Sequence, residues 1–169
     1  MTPVLPKEGR MMDDVDRIRI GFMLPIFTLK DSGDKEINMA DFWGKKNIVL
    51  FFMDDYLCNE CGKFLSELQN KIKELTALET VVLAISMDHP RFLNKLKQKL
   101  NLEFPLLYDQ DSVATKLYGL SNSSSPKGAP HPTVFAADKE RVIGYKKVDL
   151  NHKFGFSVEE IIESLKKYQ

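Results

Sequence analysis

Two continuous apolar runs, Ile48-Val49-Leu50-Phe51-Phe52 and Val81-Val82-Leu83-Ala84-Ile85, constrain this chain more than any other feature. Neither alternates apolar with polar residues, so each reads as a strand buried on both faces. Between them Cys61, Phe64, Leu65, Leu68, Ile72 and Leu75 recur at helical spacing. A second amphipathic pattern follows, marked by Phe92, Leu93, Leu96 and Leu100. Buried strands alternating with amphipathic helices predict an α/β architecture, a mostly parallel sheet with helices on both faces.

The flanking segments extend this frame. Phe27-Thr28-Leu29-Lys30 and Glu36-Ile37-Asn38-Met39 enclose the turn residues Asp31-Ser32-Gly33-Asp34, which predicts a hairpin. A short helix is expected around Val113 to Tyr118, then a Ser/Pro/Gly loop from Ser121 to Pro130. Thr133 to Ala137 and Val142 to Val148 read as strands joined by a turn at Asp138-Lys139-Glu140. Ser157 and Glu160 form a capping box ahead of Ile161, Ile162 and Leu165, the closing helix. Residues 1–19 carry Pro3, Pro6 and Gly9 among many charges without a period, and read as an N-terminal arm. Residues 20–169 are then one domain, a size that supports a sizeable core.

Charge excludes some partners. Lys plus Arg (24) balances Asp plus Glu (24), so no basic field recruits nucleic acid or an acidic membrane surface. No apolar run approaches the roughly 20 residues needed to cross a bilayer. Met1 to Arg19 lacks a signal-peptide pattern and is interrupted by Asp13, Asp14 and Asp16, so a cytoplasmic location is expected.

The chain has two cysteines, Cys58 and Cys61. So close a pair is a poor structural staple, because its tiny loop removes little entropy from the unfolded chain. It reads better as a catalytic dithiol or half of a metal site. Zinc wants four ligands, and His89, His131 and His152 are widely scattered, so no metal or other cofactor is expected. Cys58 falls just after a buried strand and Cys61 opens a helix. Backbone N–H groups and the helix dipole favour an anion there, which lowers the pKa of the leading thiol. Cys58 should be exposed and attack, while Cys61, more buried, resolves the mixed disulfide. Asp54, Asp55 and Glu60 read either as solvated carboxylates or as groups facing the sulfurs and opposing the thiolate. His131-Pro132-Thr133 reads either as a proline at a strand start or as a cis-proline loop presenting backbone groups to substrate. His131 is expected at the surface, with a proton-shuttle role as the alternative.

Several segments, in order and spacing, resemble the alkyl hydroperoxide reductase/thiol-specific antioxidant family, the peroxiredoxins and their relatives. They are Ile20-Gly21, Pro25, Phe27 and Leu29, then Asn38 to Lys45, then the buried strand and cysteine. Ala84 to Asp88, Phe104 to Asp109, Ala114, Leu117 to Gly119 and Pro132 to Phe135 continue the likeness. The segment Phe52 to Cys61 is similar to the family branch carrying Cys-x-x-Cys and to thioredoxin-type disulfide reductases. The resemblance implies a thioredoxin fold with a peroxiredoxin-type N-terminal hairpin and favours cis-Pro132. It also implies catalytic Cys58 and Cys61, with Asp55, Pro132 and Thr133 at the substrate.

Two departures stand out. The family's Pro-x-x-x-Thr-x-x-Cys segment, matched on Cys58, falls on Phe51 and Asp55, so a carboxylate replaces a hydroxyl donor. The family's arginine near the reactive sulfur matches Pro132, and neither Arg91 nor Arg141 occupies that place. The favoured function is a peroxiredoxin-like thiol oxidoreductase, acting on a hydroperoxide or disulfide and restored by an external thiol reductant such as a thioredoxin-like protein. A homodimer is compatible with this reading. A thioredoxin-like disulfide reductase and a non-enzymatic redox-sensing module remain the alternatives.

Overall fold

A computed structural model of the chain describes residues 14–125, 127–150 and 153–168. Most of the arm, Met1 to Asp13, and His152 lie outside the described residues. The element order is β1 (Thr28–Asp31), β2 (Glu36–Asn38), β3 (Asn47–Phe52), α1 (Asn59–Asn70), α2 (Ile72–Ala77) and β4 (Thr80–Ser86). It continues with α3 (Pro90–Leu100), β5 (Leu106–Tyr108), α4 (Val113–Leu117), β6 (Thr133–Ala137), β7 (Ile143–Val148) and α5 (Val158–Lys166).

Seven strands form one sheet in the order β2-β1-β5-β4-β3-β6-β7. The sheet is mixed, but the expectation of a mostly parallel one is corrected. Among the described residues only β3–β4 and β4–β5 are parallel, and the other four pairings are antiparallel. The strand/helix alternation holds for the middle of the chain alone, and hairpins build both wings. One strand, β5, lacks a sequence signal of its own, being three residues after Pro105. It nevertheless joins the N-terminal hairpin to the centre, pairing parallel with β4 and antiparallel with β1. In the hairpin turn, Asp31 Oδ1 accepts from Gly33 N (2.8 Å) and Lys35 N (2.9 Å).

Every residue of β3 is buried, as its unbroken apolar run requires. Its alternate side chains feed two cores. Val49 and Phe51, with Met53 just beyond the strand, face α1, α2, α3 and α5 through Phe64, Leu65, Leu75, Leu93 and Ile161. Ile48, Leu50 and Phe52 face α4 and the segment before β1 through Val15, Ile18, Leu24, Phe27 and Tyr118. Helices thus cover both faces, but unevenly. The long apolar helix pattern after the dithiol is broken at Lys71, which leaves helical dihedrals (φ −106°, ψ 12°). The last arm residues dock on the domain: Lys146 Nζ donates to the carbonyls of Val15 and Ile18.

Candidate active site

The strand register gathers the chemistry at one end of the sheet. Phe52, the last residue of β3, lies beside Ile85 of β4 and Thr133 of β6, and Thr133 lies beside Val148 of β7. The loops leaving that end carry Asp54 to Cys58, Met87 to His89, His131-Pro132 and Asp149. Asp149 N donates to Pro132 O (2.8 Å), and His131 N donates to Leu120 O (3.0 Å), so the loops are tied to one another.

Cys58 is the N-cap of α1. Its backbone is extended (φ −68°, ψ 106°) and its Sγ accepts from Cys61 N at 3.1 Å. A sulfur stands where a serine or aspartate oxygen would ordinarily satisfy the helix's free N–H groups. The Cys58 sulfur is half-buried rather than exposed, and Cys61, two residues into the helix, is wholly buried. Hydrogen bonding from the Cys61 thiol lowers the Cys58 pKa against the opposing effect of burial. The Cys61 backbone N–H adds to the lowering, while the Asp54 and then the Asp55 charges work against it. The same hydrogen bond, together with burial, pushes the Cys61 thiol up. The two thiols are therefore differentiated: one is disposed to ionise and the other to hold its proton until later.

The approach to Cys58 is held by Asp88. Its Oδ2 accepts from Tyr56 N (2.8 Å) and from Ser86 Oγ (2.6 Å). The Tyr56 ring stacks on Phe92 at 4.6 Å and 5°, and the Arg91 guanidinium covers the Phe92 ring at 4.7 Å. Behind α1, Phe51 and Phe64 meet edge to face at 4.9 Å, with Phe156 against both. Phe51, at the family's proline position, is thus a core residue and not a substrate contact.

Cys58 opens into a cleft of ≈ 220 Å³ lined by Asp54, Glu60, Asn122, His131, Pro132 and Asp149. Among the described residues lining it are three carboxylates and no lysine or arginine. Lys63 and Lys99 border a separate groove on the other side of Cys58. Arg141 lies at the opposite end of the sheet, its guanidinium donating to Leu24 O (2.6 Å) and stacked on Trp43.

The structure sorts the residues expected at the substrate. Pro132 does line the cleft with Cys58, but its peptide bond is trans, so the cis-proline expectation is corrected. Thr133 is fully buried in β6 and its hydroxyl donates to His131 O (2.8 Å). It supports the loop and does not reach the cleft. Asp55 lies on a neighbouring groove with Asp88 and Lys127, where its Oδ1 accepts from Leu57 N (2.7 Å). That bond builds the turn before Cys58, and the charge still opposes the thiolate. His131, expected at the surface, is 9% exposed and faces the cleft. Asp88, Asp149 and Phe92 carry no motif that sequence reasoning could have promoted, although Asp88 ends the family-like segment Ala84 to Asp88.

The AhpC/TSA family model matches residues 20–146, from the start of the domain to β7. The chain belongs to this family. It is 32% identical over 130 residues to the Coxiella burnetii protein named "Putative peroxiredoxin bcp", covering 75% of this chain and 85% of that one. The Peroxiredoxin Bcp of Escherichia coli is 28% identical over 111 residues, 66% of this chain and 70% of its own. Among solved structures, the Mycobacterium tuberculosis peroxidoxin BcpB superposes with a TM-score of 0.80 at 20% identity. That match covers 90% of this chain and 99% of the other. The peroxiredoxin form of the thioredoxin fold is thereby established. Among the described residues no helix is long and apolar enough to cross a membrane.

Proposed function

We propose that this chain is a thiol peroxidase in which Cys58 and Cys61 form the working dithiol. The thiol-dependent oxidoreductase character follows from family membership and from the peroxiredoxin names of its relatives. The observation that carries the assignment to these two residues is the helix-capping Cys58 sulfur. It is open to a cleft and is hydrogen-bonded by the N–H of a buried Cys61. Cys58 thiolate attacks one oxygen of a hydroperoxide, the O–O bond breaks, and an alcohol or water leaves. The resulting sulfenic acid is attacked by Cys61, water is released, and a Cys58–Cys61 disulfide forms. An external dithiol restores the pair, taking the oxidation onto itself. Pro132 forms one wall for the substrate and Asp55 shapes the loop that presents Cys58. The reductant is a thioredoxin-like protein and the setting the cytoplasm, with a homodimer as the working assembly.

The test is steady-state turnover of hydrogen peroxide and cumene hydroperoxide with thioredoxin and its reductase, alongside insulin reduction. Peroxide turnover that is lost in Cys58→Ser supports the proposal. Insulin reduction without peroxide turnover overturns it in favour of a disulfide reductase.

A further inference from the structure

Breaking an O–O bond leaves an alkoxide or hydroxide, a strong base that needs a proton or a hydrogen-bond donor as charge develops on it. The family supplies donors from a hydroxyl and a guanidinium. Here the corresponding residues are Asp55 and Pro132, neither of which donates from an ionised carboxylate or a ring nitrogen without a proton. The three carboxylates on the Cys58 cleft, Asp54, Glu60 and Asp149, are acceptors when ionised. Asn122 and Ser124 offer an amide N–H and a hydroxyl that can donate a hydrogen bond, but neither side chain gives up its proton near neutrality. His131 is the remaining polar side chain beside Cys58 on Pro132's side of the cleft, and imidazole is the side chain that gains and gives up a proton near neutrality.

Its placement is built rather than incidental. The residue is 9% exposed, and its backbone is fixed on both sides: N–H to Leu120 O at 3.0 Å, and C=O from the buried Thr133 hydroxyl at 2.8 Å. The next residue is held in turn by Asp149 N on Pro132 O. A loop anchored at three successive residues presents this ring to the same ≈ 220 Å³ space into which the Cys58 sulfur opens.

We propose that His131 is the general acid of peroxide reduction, donating its proton to the oxygen that leaves as Cys58 attacks. The electron pair of the Cys58 thiolate forms the S–O bond, and the O–O pair departs with the leaving oxygen. The imidazolium proton moves to that oxygen, giving alcohol from an alkyl hydroperoxide or water from hydrogen peroxide. Neutral imidazole is reprotonated from solvent. This inference rests on the peroxidase reading above.

The experiment compares oxidants whose leaving groups differ in their need for a proton. Hydrogen peroxide and cumene hydroperoxide expel strong bases, whereas peracetic acid expels a carboxylate that leaves unassisted. In His131→Gln, and in His131→Asn as a second variant, kcat/KM for the two hydroperoxides should fall about 100-fold. The peracetic acid rate and iodoacetamide alkylation of Cys58 should stay near wild type. An equal loss with all three oxidants, or slowed alkylation, overturns the proposal by showing that the ring only positions the loop. Unchanged hydroperoxide rates overturn it as well. Wild-type protein inert toward every hydroperoxide would sink the peroxidase reading itself, and this inference with it.

Discussion

The two ends of the sheet treat charge in opposite ways. At the Cys58 end, Asp54, Glu60 and Asp149 surround the sulfur proposed to react as an anion, and no lysine or arginine lines the cleft among the described residues. At the other end, where the β6–β7 turn meets the loop after β2, the buried Arg141 guanidinium binds Leu24 O and lies 4.7 Å from the Trp43 ring. The positive charge there ties the N-terminal segment to the sheet and contributes nothing to the thiolate. The Cys58 anion is supported instead by two donors of its own helix start, the Cys61 thiol and the Cys61 N–H. Stability and reactivity are thus assigned to different poles of one fold, and substitutions should separate them.

The largest effect belongs to the reactive pole. Cys58→Ser should abolish peroxide turnover while leaving the denaturation curve close to wild type. Cys61→Ser should still react once, but accumulate a sulfenic acid on Cys58 that dimedone labels. Loss of folding in Cys58→Ser, seen by circular dichroism, would break the separation of poles.

Arg141→Ala should do the reverse. Removing a buried charged donor and its ring contact should cost about 2 kcal/mol in urea unfolding. Cys58 alkylation by iodoacetamide should be unaltered. A slowed alkylation would mean that this cation reaches the thiolate after all.

A smaller, sharper effect is expected from Asp54→Asn and Asp55→Asn. Both charges oppose the thiolate, Asp54 more than Asp55, so each change should move the Cys58 pKa further below the ordinary cysteine value. The pH profile of alkylation should shift to lower pH, with a faster rate at neutrality and the larger shift for Asp54. Asparagine at position 55 keeps an acceptor for Leu57 N, so stability should change by less than about 1 kcal/mol. A shift to higher pH would show that a carboxylate helps the thiolate rather than opposing it.

The smallest effect lies away from both poles. Ser157 Oγ accepts from Glu160 N at 3.2 Å at the start of α5, while the Glu160 carboxylate accepts from Tyr145 OH at 3.0 Å. Ser157→Ala should lower stability by about 1 kcal/mol with turnover unchanged.

The middle of the fold was legible because β3 and β4 are buried on both faces and their apolar runs say so. The dithiol proposed to carry the chemistry stood out because a lone Cys-x-x-Cys between a strand and a helix has few other uses, and the structure does place it at that junction. The sheet's direction was not, since β5 is three residues long and takes its place only through partners on both sides. His131 read as a surface residue because a single histidine has no period to reveal burial. Its position depends on backbone bonds to Leu120 and Thr133 that no spacing encodes. Asp55 was singled out from alignment with the family threonine, yet of these two neighbours it is Asp54 that lines the cleft. Adjacent residues in a tight turn point in different directions, and the turn is set by Asp88 from 32 residues away in sequence.

In the proposed cycle Cys58 and Cys61 pass through one intramolecular disulfide. The most direct measurement treats reduced protein with one equivalent of hydrogen peroxide, then maps its thiols by peptide mass spectrometry. The predicted result is stoichiometric loss of both free thiols, with Cys58 and Cys61 linked within one chain and released by a dithiol reductant. A stable Cys58 sulfenic acid beside a free Cys61, or oxidation that begins at Cys61, would contradict it.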